Sequence, residues 1–254
     1  MAITIKNERE IELMRQAGHI VGLAHARVQP AIVPGATTQD LDDIVREVIE
    51  ENGATATFFG HLGFTGRICA SINEEIVHGI PGKRTLNDGD IISVDIGATF
   101  GGFIGDSAWT YPVGVIDDES KMLLEVTEES LYLGVEQAVA GNRLGDIGYA
   151  IEQFVTGQGY GMVREYGGHG VGRQMWEEPH VPNHGQKGAG VLLREGMTIA
   201  IEPMVNLGGD ETQQLEDGWT VITRDHRRSA HFEHTVLIRN GPPEILTKRV
   251  AVVV

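Results

Sequence analysis

Apolar residues recur at helical spacing in four segments of the chain and predict four amphipathic helices. The first starts with a capping-box pattern, in which Asn7 is followed by Glu10. Each of the other segments ends at a glycine, which is typical of a helix C-terminus. In chain order, the predicted limits are Asn7 to Pro30, Thr37 or Thr38 to Gly53, about 119–140 before Gly141, and about 146–155 before Gly157.

Five further segments are rich in β-branched and aromatic residues and predict strands. Helices and strands follow one another in groups, without the strict strand–helix–strand rhythm of a doubly wound sheet. This order favours a mixed α+β fold with an antiparallel sheet. Acidic residues in each half hint at an internal duplication, although we find no convincing sequence repeat. The predicted strands are 91–96, 103–110, 197–201, 219–223 and 232–238.

Composition and charge narrow the class of protein. A chain of 254 residues with 41% hydrophobic and 22% charged residues suits one soluble domain, and we expect residues 1–254 to form it. A formal net charge of −16 disfavours nucleic acid or an anionic membrane as a partner. The single cysteine, Cys69, cannot form an intramolecular disulfide, and neither a signal peptide nor a membrane-spanning run is evident. We therefore expect a cytoplasmic protein.

Asp95 and Asp106 flank a turn signal at residues 99–102. A hairpin folded there is expected to bring the two residues opposite each other, with Cβ atoms about 4.5–5.5 Å apart. Two carboxylates at that distance would repel each other unless a cation lay between them. The competing interpretation is a pair of solvent-facing aspartates, but Asp95 sits in the apolar run 91–96, where exposure to solvent is less natural.

Three more residues complete a candidate ligand set. His169 lies in a glycine-rich segment, where the backbone can approach a ligand closely. Glu202 and Glu233 occur in apolar, strand-like runs. Taken singly, the histidine could belong to a surface loop and each glutamate to a salt bridge with an arginine. Together, four carboxylates and one imidazole predict two divalent cations, Mn, Fe, Co or less selectively Zn.

His78 precedes the glycine of a Gly-Ile-Pro turn, Gly79 to Pro81, and is expected at a loop edge. General acids and bases are often found at such positions. A partly exposed turn histidine without a chemical role fits the pattern equally well.

Seven segments resemble, in order and spacing, the type I methionine aminopeptidases of the M24-like metallopeptidases. This resemblance extends from about residue 7 to the end of the chain. It implies the pita-bread fold, a pseudo-two-fold duplicated antiparallel sheet covered by helices. The segments are Cys69–Asn73, Val77–Pro81, Ser93–Gly97, Gly105–Ala108, Gly167–Gly172, Ile201–Pro203 and Phe232–Thr235.

The resemblance also implies roles for individual residues. Asp95, Asp106, His169, Glu202 and Glu233 would hold two divalent ions, with Asp106 and Glu233 bridging them. Catalysis would use a metal-activated water, Glu202 as the group that accepts its proton, and His78 as an assistant in proton movement. The methionine side chain would be bound by Cys69, Phe64 and Trp219, since a thioether suits an apolar pocket with aromatic and sulfur neighbours.

One substrate-contact position departs from the family pattern. The family carries a histidine that donates a hydrogen bond to the substrate carbonyl where this chain has Trp176. An indole N–H can only donate, cannot relay a proton and belongs to a bulkier ring. We do not expect His180, four residues further along, to compensate.

The resulting hypothesis is removal of N-terminal methionine from nascent polypeptides, with the ribosome as a further candidate partner. The chain is expected to be a monomeric single catalytic domain with neither an N-terminal extension nor the type II insertion. Two alternatives stay open. One is a peptidase directed at Xaa-Pro sequences, and the other is a catalytically weakened peptide-binding module, which Trp176 favours.

Overall fold

The computed structural model describes residues 2–251. It contains four α-helices and two short 3-10 helices, Gln29–Ala31 and His61–Gly63. The ends of the predicted domain, residue 1 and residues 252–254, lie outside the described residues. No helix within residues 2–251 is both long and apolar enough to cross a membrane. The α-helices are α1 (Glu8–Val28), α2 (Thr38–Glu51), α3 (Asp118–Glu136) and α4 (Leu144–Gly157).

The predicted starts of α1 and α2 are confirmed, and α3 and α4 begin one and two residues before the predicted positions. Asn7 and Glu10 form the capping box of α1, and the Thr37 hydroxyl accepts from the backbone N–H of Asp40 at the start of α2. Helix α3 ends at Glu136, four residues earlier than predicted, because the following backbone pairs elsewhere. The N–H of Ala140 donates to the carbonyl of Arg239, 2.9 Å away. Tertiary pairing therefore overrides helical periodicity at this end.

Within residues 2–251, fifteen strands, most of them short, make up the sheets. They are β1 (Thr55–Ala56), β2 (Ile68–Ile72), β3 (Glu75–Val77), β4 (Ile91–Phe100), β5 (Phe103–Pro112), β6 (Gly161–Met162), β7 (Gly168–Gly170), β8 (Glu177–Val181), β9 (Thr198–Ile201), β10 (Met204–Asn206), β11 (Thr212–Gln214), β12 (Val221–Thr223), β13 (Ser229–His231), β14 (His234–Leu237) and β15 (Glu244–Ile245). The run predicted at 219–223 begins as a strand only at Val221, since the Asp217 carboxylate accepts from the N–H groups of Trp219 and Thr220 and holds them in a turn.

The described residues form four antiparallel sheets, and the two largest lie one in each half of the molecule. In the first half β4 lies between β2 and β5 and also pairs with β1; α1 packs on β4 and β5, and α2 packs on α1, β1 and β2. In the second half the sheet order is β15-β14-β9-β7-β8, and α3 and α4 pack together on that side. One hydrophobic core runs through both halves, from Val21 through Ile92 to Ile199. The predicted mixed α+β fold with antiparallel sheets is confirmed.

The two halves meet along β5. Thr235 Oγ1 both accepts from the N–H of Asp106 and donates to its carbonyl, at 3.0 and 2.8 Å. Ser107 Oγ donates to the carbonyl of Glu233 at 2.7 Å. On the other side of β5, α1 packs backbone to backbone at Gly105, where an added Cβ would lie 2.6 Å from the N atom of Gly18. These contacts fix Asp106 beside Glu233.

Candidate metal centre

A cavity of about 490 Å³ opens between the two halves. Every site residue expected from the sequence lines it. These are Asp95, Asp106, His169, Glu202, Glu233, His78, Cys69, Phe64, Trp219 and Trp176. The structure thus brings together residues that are up to 169 positions apart, from Phe64 to Glu233.

Asp95 and Asp106 lie on neighbouring strands of one hairpin, but the expectation that they are directly opposite is wrong. Asp95 pairs with Ala108, and Asp106 pairs with Gly97. The turn is centred on Gly101 and Gly102, which have φ values of 57° and 81°, so the register is offset by two residues from the expected one. Since strand side chains alternate with period two, both carboxylates still point to the same face as diagonal neighbours.

Glu202 and Glu233 lie at matching interruptions of an antiparallel strand pair. Ile201 at the end of β9 pairs with His234 in β14, and Met204 in β10 pairs with His231 at the end of β13. Both glutamates therefore fall in the gap between two paired stretches. The N–H of Glu233 bonds to the carbonyl of Ala108 in β5 at 2.8 Å, which turns this residue toward the first half.

His169 projects from β7 between two glycines that allow close packing. An added Cβ at Gly168 would lie 2.1 Å from the carbonyl oxygen of Ala200. The Nδ1 of His169 is 2.9 Å from the carbonyl oxygen of Gly170, which requires Nδ1 to carry the proton. The Nε2 lone pair then faces Asp106 Oδ2 at 3.7 Å and Glu202 Oε1 at 3.6 Å.

The four carboxylates are largely buried, and the ion-pair partners that two of them have among residues 2–251 are histidines. Asp106 and Glu233 are each 2% exposed, and no lysine or arginine within residues 2–251 forms an ion pair with any of the four. Burial, together with repulsion from neighbouring carboxylates, raises the pKa of Asp95, Asp106 and Glu233. The structural-salt-bridge interpretation with an arginine is therefore wrong for Glu202 and Glu233.

The donor set fits divalent cations. The buried Oδ1 atoms of Asp95 and Asp106 and the Oε1 of Glu233 have no hydrogen-bond partner within the described chain. Asp106, His169 and Glu233 each offer one ligand atom within 4.8 Å of the others. Four carboxylates around the unprotonated Nε2 of His169 would repel one another. Divalent cations bound between them would replace this repulsion by attraction.

His231 was not singled out from the sequence, yet it is part of this site. Its side chain is 2% exposed, and its Nε2 lies 3.5 Å from Glu202 Oε2. Burial opposes ionisation of Glu202, but interactions with His231, His169 and His78 outweigh it and hold the Glu202 pKa below its ordinary value. β13 has only three residues, all of them buried, so no alternation in it marked His231, and only the tertiary structure brings this residue to Glu202.

The apolar wall of the cavity is aromatic. The rings of Phe64 and Trp219 meet edge to face at 5.0 Å, and His78 lies edge-on to Trp219 with ring centroids 6.3 Å apart. Burial lowers the pKa of His78. Its backbone has a φ of 62°, which is uncommon for a residue with a side chain and occurs often at functional sites. Cys69 is buried beside Asp95 in the β2–β4 pairing, and burial together with that carboxylate raises the pKa of its thiol, which keeps it neutral.

Trp176 lies at the open end of the cavity. It is 43% exposed, and its ring meets the His61 ring edge to face at 4.9 Å. His61 was not anticipated from the sequence. His180, which was not expected to compensate for Trp176, is exposed but pairs with His169 in the β7–β8 register and lines the cavity.

The model of metallopeptidase family M24 matches residues 12–240 of the chain. The chain belongs to metallopeptidase family M24. It is 51% identical over 246 residues to methionine aminopeptidase 1 of Bacillus subtilis strain 168, covering 97% of this chain and 99% of that protein. It is 50% identical over 246 residues to the methionine aminopeptidase of Clostridium acetobutylicum, covering 96% and 98%.

Solved structures agree with this assignment. The crystal structure of methionine aminopeptidase from Thermotoga maritima matches with a TM-score of 0.96 and 46% identity, covering 97% of this chain and all of that one. The prolidase of Pyrococcus horikoshii OT3 matches with a TM-score of 0.77 and 25% identity, and the chain covers 64% of it. The expected pita-bread fold of the M24 metallopeptidases, their peptidase class and a divalent-metal cofactor are thereby confirmed.

Proposed function

We propose that this M24 metallopeptidase is a methionine aminopeptidase, which removes the N-terminal methionine of polypeptides. The observation that carries the proposal is one cavity that joins four carboxylates and an imidazole to an aromatic, sulfur-containing wall. Relatives about half identical to the chain over nearly its whole length bear that name. The flexible thioether of methionine suits a pocket formed by Phe64, Cys69 and Trp219.

In the proposed mechanism, Asp95, Asp106, His169, Glu202 and Glu233 would hold two divalent ions. Cobalt, manganese, iron and zinc all suit these donors. When bound, the ions supply Lewis-acid activation of a water molecule and neutralise the carboxylates.

The proton transfers are assigned to residues of the chain. Glu202, ionised near neutral pH because of its histidine neighbours, accepts the proton of the attacking water and returns it to the leaving amine. His78, neutral because burial lowers its pKa, donates a hydrogen bond to the oxygen that becomes negatively charged. The acidic surroundings attract the protonated N-terminus of the substrate.

We further propose that the chain is a single catalytic domain, monomeric and cytoplasmic, and that it acts on nascent chains, with the ribosome as a candidate partner. Size-exclusion chromatography tests the monomeric state, and co-sedimentation with ribosomes tests the ribosome contact. A single mass of 27.6 kDa is expected in the first experiment.

A catalytically weakened peptide-binding protein is the second candidate, and Trp176 is the observation that favours it. Cleavage of Met-Ala-Ser, Met-Pro and Ala-Pro peptides by protein loaded separately with each metal distinguishes the candidates. We expect release of methionine from Met-Ala-Ser and none from a metal-free control. Cleavage of Ala-Pro alone would indicate an Xaa-Pro peptidase, and metal binding without cleavage would indicate the weakened binding protein.

A further inference from the structure

Lys6 is buried at 7% exposure, an unusual environment for a lysine unless its charge is paired. Its Nζ lies 2.7 Å from Oε2 of Glu177, and the two side chains are only 5% and 10% exposed. The backbone N–H of Lys6 also donates to the carbonyl of Gly196 at 2.8 Å, ahead of β9. The segment that precedes α1 is thus attached to the second half of the molecule.

Glu177 closes a loop that we call the 172–177 loop, from Gly172 to Glu177. Its Oε1 accepts from the N–H groups of Arg173 and Gln174 at 2.8 and 3.3 Å. Its Oε2 accepts from Lys6 and from the hydroxyl of Thr4, the latter at 2.6 Å. One carboxylate therefore joins both ends of the loop to the N-terminal segment.

Gly172 makes the packing between loop and segment tight. A Cβ added there would lie 2.5 Å from Glu177 Oε1 and 2.8 Å from Lys6 Nζ. At the other end of the loop, Met175 and Trp176 line the cavity, and Trp176 contacts His61. Glu177 therefore links the Lys6 side chain to the loop that carries Met175 and Trp176.

We propose that Lys6 is a positioning residue, whose ion pair with Glu177 holds Met175 and Trp176 in place as one wall of the substrate cavity. Where this concerns peptide binding, it rests on the proposed function. Removing one partner of a buried ion pair leaves the other charge uncompensated, so the carboxylate is expected to turn toward water and release the loop. The metal ligands do not contact Lys6, so substrate binding should change more than the chemical step.

The position of the loop can be measured without substrate. The chain has three tryptophans, Trp109, Trp176 and Trp219. In the double variant Trp109→Phe/Trp219→Phe, all tryptophan fluorescence comes from Trp176. Adding Lys6→Met should increase quenching of its fluorescence by acrylamide and shift its emission maximum. Unchanged quenching and emission in folded Lys6→Met protein would overturn the proposal.

Kinetics with Met-Ala-Ser provides the second measurement. We expect Lys6→Met to raise KM about tenfold and to change kcat by about twofold or less, since small misplacements of binding groups have effects of this order or larger. In a double-mutant cycle with Trp176→Ala, the two effects on KM should be strongly non-additive because they act on one loop. Additive effects would contradict positioning through Trp176.

Arg15→Met is the matched control, since it removes an ion pair with Glu244 at 2.6 Å that joins α1 to β15 away from the 172–177 loop. Arg15→Met should leave KM and the quenching of Trp176 fluorescence unchanged. Equal changes in Arg15→Met and Lys6→Met would overturn the positioning role of Lys6. If Lys6→Met does not fold, Glu177→Gln is the second variant. Its amide oxygen can still accept from the N–H groups of Arg173 and Gln174, but the negative charge that pairs with Lys6 is gone. The proposal requires that this variant increases acrylamide quenching of Trp176 fluorescence. Failure of the wild-type protein to cleave Met-Ala-Ser would refute the proposed function, whereas the quenching result would still decide the role of Lys6.

Discussion

The cavity has two regions that are built differently. Its floor consists of Asp95, Asp106, His169, Glu202 and Glu233, which come from the strands and strand interruptions of both halves. Its mouth consists of His61, Met175 and Trp176, which come from a single 3-10 turn and from the 172–177 loop. The turn has positive φ values at Gly60, Leu62 and Gly63 of 81°, 47° and 89°.

This difference separates two ways of fixing a side chain. Paired strands and the hydrogen bonds of Thr235 and Ser107 hold the floor, so its geometry follows from the fold. Side-chain contacts of the 172–177 loop, including the buried ion pair of Lys6 with Glu177, hold the mouth. Chemistry that tolerates little displacement is located on the floor, whereas the mouth can change without altering the fold.

Removal of one floor carboxylate should have the largest effect. Asp106→Asn is expected to lower kcat at least about 1000-fold, since Lewis-acid activation contributes several kcal/mol and about 4 kcal/mol corresponds to that factor. Bound metal, measured by mass spectrometry, should fall below that of the wild-type protein. Without metal, the variant should melt at the same temperature as the metal-free wild type or at a higher one. The substitution removes one carboxylate from a buried cluster in which neighbouring carboxylates repel each other and raise each other's pKa.

Asp118→Asn is the control for charge alone, since the Asp118 side chain is 95% exposed at the start of α3. It should change neither metal content nor kcat. A fully active Asp106→Asn protein with normal metal content would mean that the floor is not the metal centre.

Part of the floor could be predicted from the sequence because Asp95 and Asp106 lie on regular strands, whereas Glu202 and Glu233 lie in strand interruptions. The β4–β5 hairpin and the shared direction of both aspartates follow from alternation and turn signals. The register was wrong by two residues, since a four-residue signal at 99–102 leaves open which two residues form the turn. Period-two alternation preserved the correct face despite that error.

The mouth could not be predicted in the same way. Lysine usually lies at the surface, so no sequence pattern marked Lys6 as the buried partner of a residue 171 positions away. His61 and His231 likewise acquire their positions only through tertiary contacts, with Trp176 and Glu202 respectively. Only the departure at Trp176 was visible beforehand, through comparison with the family pattern.

The floor is supported from behind by a buried histidine, and acid should weaken that support. His25 is 1% exposed, its Nε2 lies 3.0 Å from the carbonyl oxygen of Ser107, and its Nδ1 lies 3.0 Å from the Tyr111 hydroxyl. Burial lowers the pKa of His25 from 6.5 to about 4. The unfolded chain therefore binds the proton more readily, and stability is lost as pH falls from about 6.5 through about 4. The full loss is about 3 kcal/mol, since one pKa unit corresponds to about 1.4 kcal/mol.

His25→Gln tests this contribution, because glutamine can donate to the Ser107 carbonyl but does not titrate in this range. Urea unfolding between pH 7 and 4.5 should give a shallower dependence of the unfolding free energy on pH than in the wild type. Carboxylates elsewhere titrate in both proteins, so their contribution cancels in the difference. Identical slopes would show that His25 is not held neutral in the folded state.

The smallest expected effect concerns the mouth. Trp176→His should raise kcat/KM for Met-Ala-Ser about tenfold, equal to about 1.4 kcal/mol, which is the scale of one hydrogen bond. An imidazole can donate and accept, whereas the indole N–H only donates and its ring fills more of the cavity opening. Metal content and thermal stability should stay unchanged, since Trp176 is 43% exposed and is not among the candidate metal ligands.

Trp176→Phe separates the two possible causes of that gain. Phenylalanine reduces the size of the ring without supplying a donor, so an equal gain in Trp176→Phe and Trp176→His would assign the effect to bulk. A gain confined to histidine would assign it to hydrogen bonding with the substrate. If both variants lowered kcat/KM, Trp176 itself would make a favourable contact with the substrate in this chain. The mouth would then be matched to the substrate as closely as the floor, and the two regions would differ only in how their side chains are held.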